Sequence, residues 1–199
     1  MHRDAGRRGQ RVLPGLIRPL PPELRTERLV LGGWSDHDAG WYADLVAERS
    51  AAAARRGEPP TPRTAGRPTV AAAVDTISRL AGTIGSPVPL YVVRRAADDE
   101  PLGYCGLVVG RSVPAEPEVA YEFLEAAHSH GYATEAATAV VQAARTAGSV
   151  RLWATIRSWN HPSSRVAARL GFVPDPLATA AHPEPDDGRG DQVWYRLDC

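Results

Sequence analysis

The stretch from Glu118 to Phe172 changes its periodicity in an order that few architectures accept. Glu118 to Leu124 alternates as a strand does. Val119, Tyr121 and Phe123 fall on one face, and Glu118, Ala120, Glu122 and Leu124 on the other. The run His128-Ser129-His130-Gly131-Tyr132-Ala133-Thr134-Glu135-Ala136 follows. Gly131 and the small residues Ser129 and Ala133 let a backbone turn come close to a ligand. Ala133, Ala136, Ala137, Val140, Val141 and Ala144 then recur on one helix face, which ends near Gly148. A helix that starts at such a turn leaves its first N–H groups unpaired and its positive dipole end forward, an anion site suited to phosphate or pyrophosphate. Val150, Leu152, Ala154 and Ile156 alternate against Arg151, Trp153, Thr155 and Arg157 in a further, half-buried strand. Strand, helix and strand at this spacing predict a right-handed crossover between parallel neighbours. Asn160-His161-Pro162 opens another helix, with Pro162 near its first position, Val166 and Leu170 facing inward and Gly171 at its end.

The rest of the chain supplies antiparallel strands and helices to pack on them. Residues 1–20 carry Arg, Gly and Pro without periodicity and read as a mobile tail, leaving a single domain over 21–199. Arg25 to Leu31 reads as a first strand. Ser35 and Asp38 form a capping-box pattern ahead of a helix with Ala39, Tyr42, Ala43 and Val46 at helical spacing, expected to fray into Ala51 to Ala54. Arg55 to Pro68 is a loop by its prolines and glycines, and its arginines are placed to meet an acidic substrate or simply to face water. Thr69 caps a second helix whose stripe runs Val70, Ala73, Val74, Ile77, Leu80 and Ala81. Leu90 to Arg94 and Leu102 to Val109 form a hairpin around Ala97 to Glu100. Pro114 to Pro117 reads as a loop, and Leu177 to Ala181 with Gln192 to Leu197 as a last hairpin around Glu184 to Asp191. The fold class is α/β (α+β): a mixed, mostly antiparallel sheet with one central parallel pair, flanked by helices.

Composition removes several functions. Formal net charge is zero, so no overall field draws the chain to nucleic acid or to an anionic membrane. No apolar run approaches the roughly 18–20 residues of a membrane span. The apolar patch Val12 to Ile17 holds a Pro and a Gly and is too short for a secretory signal, so a cytoplasmic protein is expected. Cys105 and Cys199 have neither metal nor redox spacing, and no metal is expected. All 23 basic residues are arginine, so the chain cannot modify lysines of its own.

Three segments in order, spanning residues 24–172, resemble the GNAT superfamily of N-acetyltransferases, most closely its RimJ/RimL type, the ribosomal-protein N-terminal acetyltransferases. They are Leu24 to Leu31; Ala120-Tyr121 with His128 to Ala136; and Asn160, Ser163, Arg165, Val166, Arg169, Leu170, Gly171 and Phe172. The resemblance implies the GNAT fold, with its two parallel strands splayed, and acetyl-CoA as co-substrate. It implies an N-acetyltransferase, with an amine acceptor that is a protein N-terminus or a small molecule, acting as a monomer or homodimer. His128 stands where the family's coenzyme motif carries Gln or Arg, and Ser129 where many relatives have Gly; Gly131 and Ala133 fit. By the resemblance, the backbone of Phe123 and Leu124 pairs with the pantetheine arm and offers the oxyanion donor. His128, Ser129, His130, Gly131, Tyr132, Ala133 and Thr134 hold the pyrophosphate.

Acetyl transfer to an amine needs the reactants held together, a base for the amine proton, an N–H for the carbonyl oxygen and a proton donor for the thiolate. Glu118, on the coenzyme strand, is the first candidate base and Glu122 the second; His128 and His130 titrate in the right range but serve better as anion contacts. Many superfamily members carry a Tyr as thiolate acid where this chain has Ala167, which leaves Ser163, read either as that acid or as a helix-cap hydroxyl. Asn160 orients the coenzyme arm or bonds its own turn. Arg165 meets a coenzyme phosphate or water, and Trp153 and Trp159 line the acceptor end or pack. The alternative to an enzyme is a non-catalytic acyl-CoA-binding or protein-interaction module on the same fold.

Overall fold

In the computed structural model, which describes residues 17–62, 64–183 and 187–199, the β-rich runs join in one eight-stranded sheet. Its strands are β1 (Leu24–Arg25), β2 (Leu29–Gly32), β3 (Leu90–Arg95), β4 (Pro101–Val113), β5 (Glu116–Phe123), β6 (Arg151–Arg157), β7 (Val173–Pro174) and β8 (Gln192–Asp198). They lie in the order β1-β2-β3-β4-β5-β6-β8-β7. Every neighbouring pair is antiparallel except β5 and β6, which are parallel. The helices are α1 (Ala39–Arg55), α2 (Val70–Ala81), α3 (Tyr132–Ala147), α4 (His161–Arg169) and α5 (Pro176–Ala181). The expected mixed sheet with one central parallel pair is what forms.

Alternation along the strands feeds two cores. Tyr91, Val93, Leu107, Val119 and Phe123 face α3 and α4, against Ala136, Ala137, Val140, Val141, Ala144 and Ala167. Val92 points the other way, into Trp34, Ala39, Ala43, Ala73 and Ile77 under α1 and α2. The alanines of α3 let its axis lie close to the sheet. That brings its first turn level with the end of β5. Thr69 accepts from the Ala72 N–H at 3.2 Å and so caps α2 as read, and the Asp38 carboxylate accepts from the Ser35 N–H at 2.8 Å.

Local chemistry changes four boundaries and one pairing. The run Arg25 to Leu31 is not one strand. Thr26 breaks it, because its hydroxyl accepts the Leu29 N–H at 3.0 Å and closes a turn between β1 and β2. Helix α1 does not fray at Ala51 to Ala54 but continues to Arg55, as alanine's helix propensity favours, with Ala53 buried. Only Pro114 and Ala115 separate β4 from β5, so the expected loop is a two-residue turn. Pro176 to Ala181 is helical rather than a strand; Asp175 accepts the Ala178 N–H at 2.9 Å, and Pro176 sits at the first helical position. Strand β8 instead pairs with β6 and β7.

The tail expected over 1–20 falls mostly outside the described residues, as do Arg63 and residues 184–186 of the loop before β8. Its last residues are docked. Ile17 and Leu20 are buried in the α3-side core, and their neighbours are tied by Arg18 N–H to the Ala147 carbonyl and Leu20 N–H to the Ser86 carbonyl. Leu20→Ala should therefore lower stability by about 2–5 kcal/mol, read from the midpoint of a denaturant titration. A change below half a kcal/mol, roughly what a surface site gives, would contradict this docking.

Candidate active site

Strands β5 and β6 share a single register pair, Glu118 with Trp153, and then part. The closed end is stitched by side chains. Trp153 Nε1 donates to Glu116 at 3.0 Å, and the Thr155 hydroxyl donates to Glu118 Oε2 at 2.7 Å. The other oxygen of Glu118 accepts the backbone N–H groups of Arg111 and of Ser112, the latter at 3.1 Å, inside the irregular stretch of β4. A Cβ on Gly110 would overlap this carboxylate. Glu118 is only 5% exposed. The expected base is thus an anchor: its lone pairs are taken up by a hydroxyl and two backbone donors at the root of the opening. Glu122, two pleat repeats further along the same face, borders the part where the strands have separated.

The backbone of β5 forms one edge of that opening. The Leu124 N–H donates to the Leu102 carbonyl at 2.9 Å, and the Leu124 carbonyl accepts the Ala127 N–H at 2.8 Å. Leu124 therefore offers neither pairing nor an oxyanion donor, against expectation. Alternation turns the polar groups of Tyr121 and Phe123 away from β4, toward the opening. The Phe123 carbonyl is occupied by His128 Nε2 at 3.0 Å, a contact that requires the proton on Nε2 because a carbonyl only accepts. The Phe123 N–H is left facing the opening.

At the mouth stands the turn before α3. Ser129 and Gly131 both have left-handed backbone, φ 65° and 81°. Gly131 adopts it freely, whereas Ser129 costs roughly 1–2 kcal/mol. The first rung of α3 runs from the Glu135 N–H to the Gly131 carbonyl, so the N–H groups of Tyr132, Ala133 and Thr134 have no helical acceptor. The turn itself is exposed at His128, Ser129, His130 and Gly131. His130 bonds the His128 carbonyl through Nδ1 at 2.7 Å and stacks on Tyr132 with centroids 5.5 Å apart. Both histidines are thus turned into the loop's own framework. Beside it lies a cavity of about 160 Å³ lined by Arg95, Leu102, Leu124, Ala127, His130 and Tyr132.

The far wall is the start of α4. The Asn160 side chain accepts the Ser163 N–H at 3.2 Å, so the cap is Asn160, not the Ser163 hydroxyl. Tyr121 reaches across from β5 and donates its hydroxyl to the Ser163 carbonyl at 3.2 Å. Ala167 is 2% exposed and packed in the core. Arg165 is exposed on α4, and Trp153 packs edge-on to Trp194 at 5.3 Å.

On the α1 side of the sheet, Glu122 accepts from Arg49 at 2.7 and 2.5 Å and from the Tyr104 hydroxyl at 2.9 Å. Burial lowers the Arg49 guanidinium, but the bonded Glu122 carboxylate outweighs it and holds the group above its ordinary value. Burial raises the Tyr104 phenol, and Glu122 raises it further. The loop arginines are partnered: Arg55 with Glu125 at 2.9 Å, Arg56 with Glu58 at 2.5 Å and Arg67 with Asp44 at 2.8 Å. Arg56 also lies 3.8 Å over the ring of Trp159, whose Nε1 donates to the Arg189 carbonyl at 2.9 Å. The loop after α1, the β6–α4 turn and the loop before β8 thereby meet at the rim.

Sequence reasoning placed the turn, Asn160, Ser163, Phe123 and Glu118 around one opening, and missed Arg49 and Tyr104 beside Glu122. No local signal marks those two; each reaches Glu122 from another segment. Burial pushes the Tyr121 phenol up to about 12, with the side chain of Ser163, not its carbonyl, opposing. An unfolded tyrosine titrates near about 10. The folded state therefore holds the proton more tightly; this stabilisation is whole below pH 10 and lost as pH rises through about 12. Denaturant midpoints across that alkaline window should fall less steeply for Tyr121→Phe than for the native chain; parallel curves would contradict the assignment.

Comparison with known proteins now has a geometry to meet. The family described as acetyltransferase (GNAT) domain matches residues 28–173. No curated protein matches the chain. Among solved structures, an acetyltransferase from Agrobacterium tumefaciens is 24% identical, with a TM-score of 0.67 over 98% of this chain and 100% of that one. RimJ of Mycobacterium smegmatis, in complex with a CoA-disulfide, is 21% identical, with a TM-score of 0.66 over 94% of this chain and 90% of its own. RimL, a ribosomal alpha-N-protein acetyltransferase in complex with coenzyme A, is 14% identical, with a TM-score of 0.69 over 88% and 97%. The parted strands facing a helix N-terminus and the family match over most of the chain agree: this chain belongs to the GNAT acetyltransferase family.

Proposed function

We propose that the chain transfers an acetyl group from acetyl-CoA directly to the nitrogen of an amine acceptor. One observation carries the reading: two parallel strands separate immediately in front of an exposed helix N-terminus on a strained turn. The N–H groups at the start of α3 take the pyrophosphate. The pantetheine arm enters the opening and pairs with the polar edge of Tyr121 and Phe123. The Phe123 N–H donates to the thioester oxygen as charge grows there. The amine nitrogen attacks the carbonyl carbon, the carbon–sulfur bond breaks, and the thiolate takes a proton. The Ser163 hydroxyl, free of the cap, supplies that proton from the first turn of α4.

Glu122 holds as many donors as Glu118, two from Arg49 and one from Tyr104, but it is less buried and borders the opening on the α1 side, and on that position we assign the amine to it. It orients the acceptor and takes its proton. RimL, by its name, acts on the alpha-nitrogen of a ribosomal protein, and another GNAT-fold neighbour of 13% identity is a microcin self-immunity acetyltransferase in complex with acetyl-CoA and AMP. A protein N-terminus or a small-molecule amine is accordingly the acceptor we propose.

A second reading, coenzyme binding without transfer, is favoured by two facts. Ala167 is buried where many superfamily members carry their acid, and the first candidate base serves the sheet. Calorimetry with acetyl-CoA, followed by thiol release across a panel of amines, decides between them. Binding with release supports the enzyme; binding without release from any amine, N-terminal peptides included, supports the module; no binding overturns both.

Gly131→Val adds a branched side chain at φ 81° and should weaken acetyl-CoA binding at least about tenfold. Retained affinity would remove the pocket from this turn. Glu122→Gln should cut kcat by about a hundredfold while acetyl-CoA still binds. Glu118→Gln should instead lower the melting temperature by several degrees, because the Thr155 and backbone donors lose their charged acceptor. Full stability with lost turnover in Glu118→Gln would reverse the two roles.

A further inference from the structure

We infer that Arg28, carried in from just before β2, is the coenzyme-phosphate arginine of this chain, a role that the His128 position leaves open. The inference rests on the proposed coenzyme site. His128 stands where the family's coenzyme motif carries Gln or Arg, yet its Nε2 is bonded to the Phe123 carbonyl and is therefore directed toward β5. The guanidinium at the turn is that of Arg28. Nη1 donates to the His130 carbonyl at 3.1 Å, and Cζ lies 4.8 Å from the centre of the Tyr132 ring. A Cβ built on Gly131 would lie 3.6 Å from Nη2, so the cation flanks the residue at which α3 begins.

The guanidinium is fixed by Glu135, in the first turn of α3. Nε donates to Glu135 Oε2 at 2.7 Å and Nη2 lies 2.6 Å from the same oxygen. The other oxygen accepts the Arg28 backbone N–H at 3.0 Å and the Thr26 hydroxyl at 2.5 Å. A guanidinium carries five N–H groups. The contacts among the described residues use one on each nitrogen, which leaves one on Nη1 and one on Nη2 for an anion. The side chain is 46% exposed. Arg28 also neutralises Glu135, a carboxylate that would otherwise repel phosphate from the helix N-terminus. Charge and fork geometry therefore act together: Thr26 and Glu135 position Arg28, and Arg28 touches the phosphate.

The test is acetyl-CoA calorimetry on the full chain at low and high salt, with melting temperatures taken alongside. Arg28→Ala should raise Kd by about tenfold or more and flatten its salt dependence, because an ion pair screened by salt has been removed. Arg28→Lys keeps the charge without the fork and should recover part of the affinity. Should Arg28→Ala not fold, Arg28→Gln, which retains an N–H donor, makes the same comparison. An unchanged Kd in the neutral variants overturns the proposal, as does a weakened Kd whose salt dependence stays native and which Lys does not restore. If the native chain itself binds no acetyl-CoA, the proposed function fails and this inference with it; if only the variants match the native affinity, this inference fails alone.

Discussion

A buried carboxylate determines where the central strands separate. Taking Glu118 out of water is expensive, and the cost is met only because two backbone N–H groups and the Thr155 hydroxyl converge on it. Those donors come from β4 and β6, while Glu118 itself is on β5. One side chain therefore ties three strands at one level. Trp153 and Glu116 repeat the tie one step below. The register pairing of β5 with β6 is confined to this level, and beyond it the polar edge of β5 faces the opening. The opening is thus a consequence of where the stitching stops. Gly110 belongs to the same device, since any side chain there would displace the carboxylate.

What could be read from sequence follows from how local each interaction is. The strand, turn and helix from Glu118 to Gly148 are specified by neighbours in the chain, and alternation and helical spacing show them directly. The Asn160 cap is three residues from its donor and equally visible. The Arg28–Glu135 contact spans 107 residues and the Arg49–Glu122 contact 73, so no window of sequence holds both partners. Glu118 shows a subtler failure. Alternation gives its face correctly, but the irregular part of β4 that surrounds it becomes visible only when the hairpin closes. The helix at Pro176 is a different case: Asp175 followed by Pro176 is a local cap-and-first-turn pattern, which the strand reading of Leu177 to Ala181 did not use.

The arginines of the rim show why charge in a loop is a weak guide to ligands. Arg55, Arg56 and Arg67 each have a carboxylate within 2.9 Å. Exposed pairs of this kind contribute about 0–1 kcal/mol each, so their value to the fold is small. Their effect is geometric: Arg56 over Trp159 brings the loop after α1 to the turn before α4. This rim is therefore bounded by contacts between loops, and loops are where relatives on one fold differ.

The start of α4 resolves the chemistry left by Ala167. A tyrosine at that position would have to enter a core that already holds Ala167 at 2% exposure. A tyrosine does reach the start of α4 from β5: Tyr121 spans to the Ser163 carbonyl. Its phenol, pushed up to about 12 by burial, keeps its proton at neutral pH and donates it to that carbonyl. With the cap made by Asn160 and the carbonyl bonded by Tyr121, Ser163 has its backbone fixed by two side chains. In the proposed reaction that fixed backbone is what would hold the Ser163 hydroxyl near the departing thiolate, since proton donation depends on position before it depends on acidity. Under the same proposal the dipole of α4 would add to the stabilisation of negative charge arriving at its first turn.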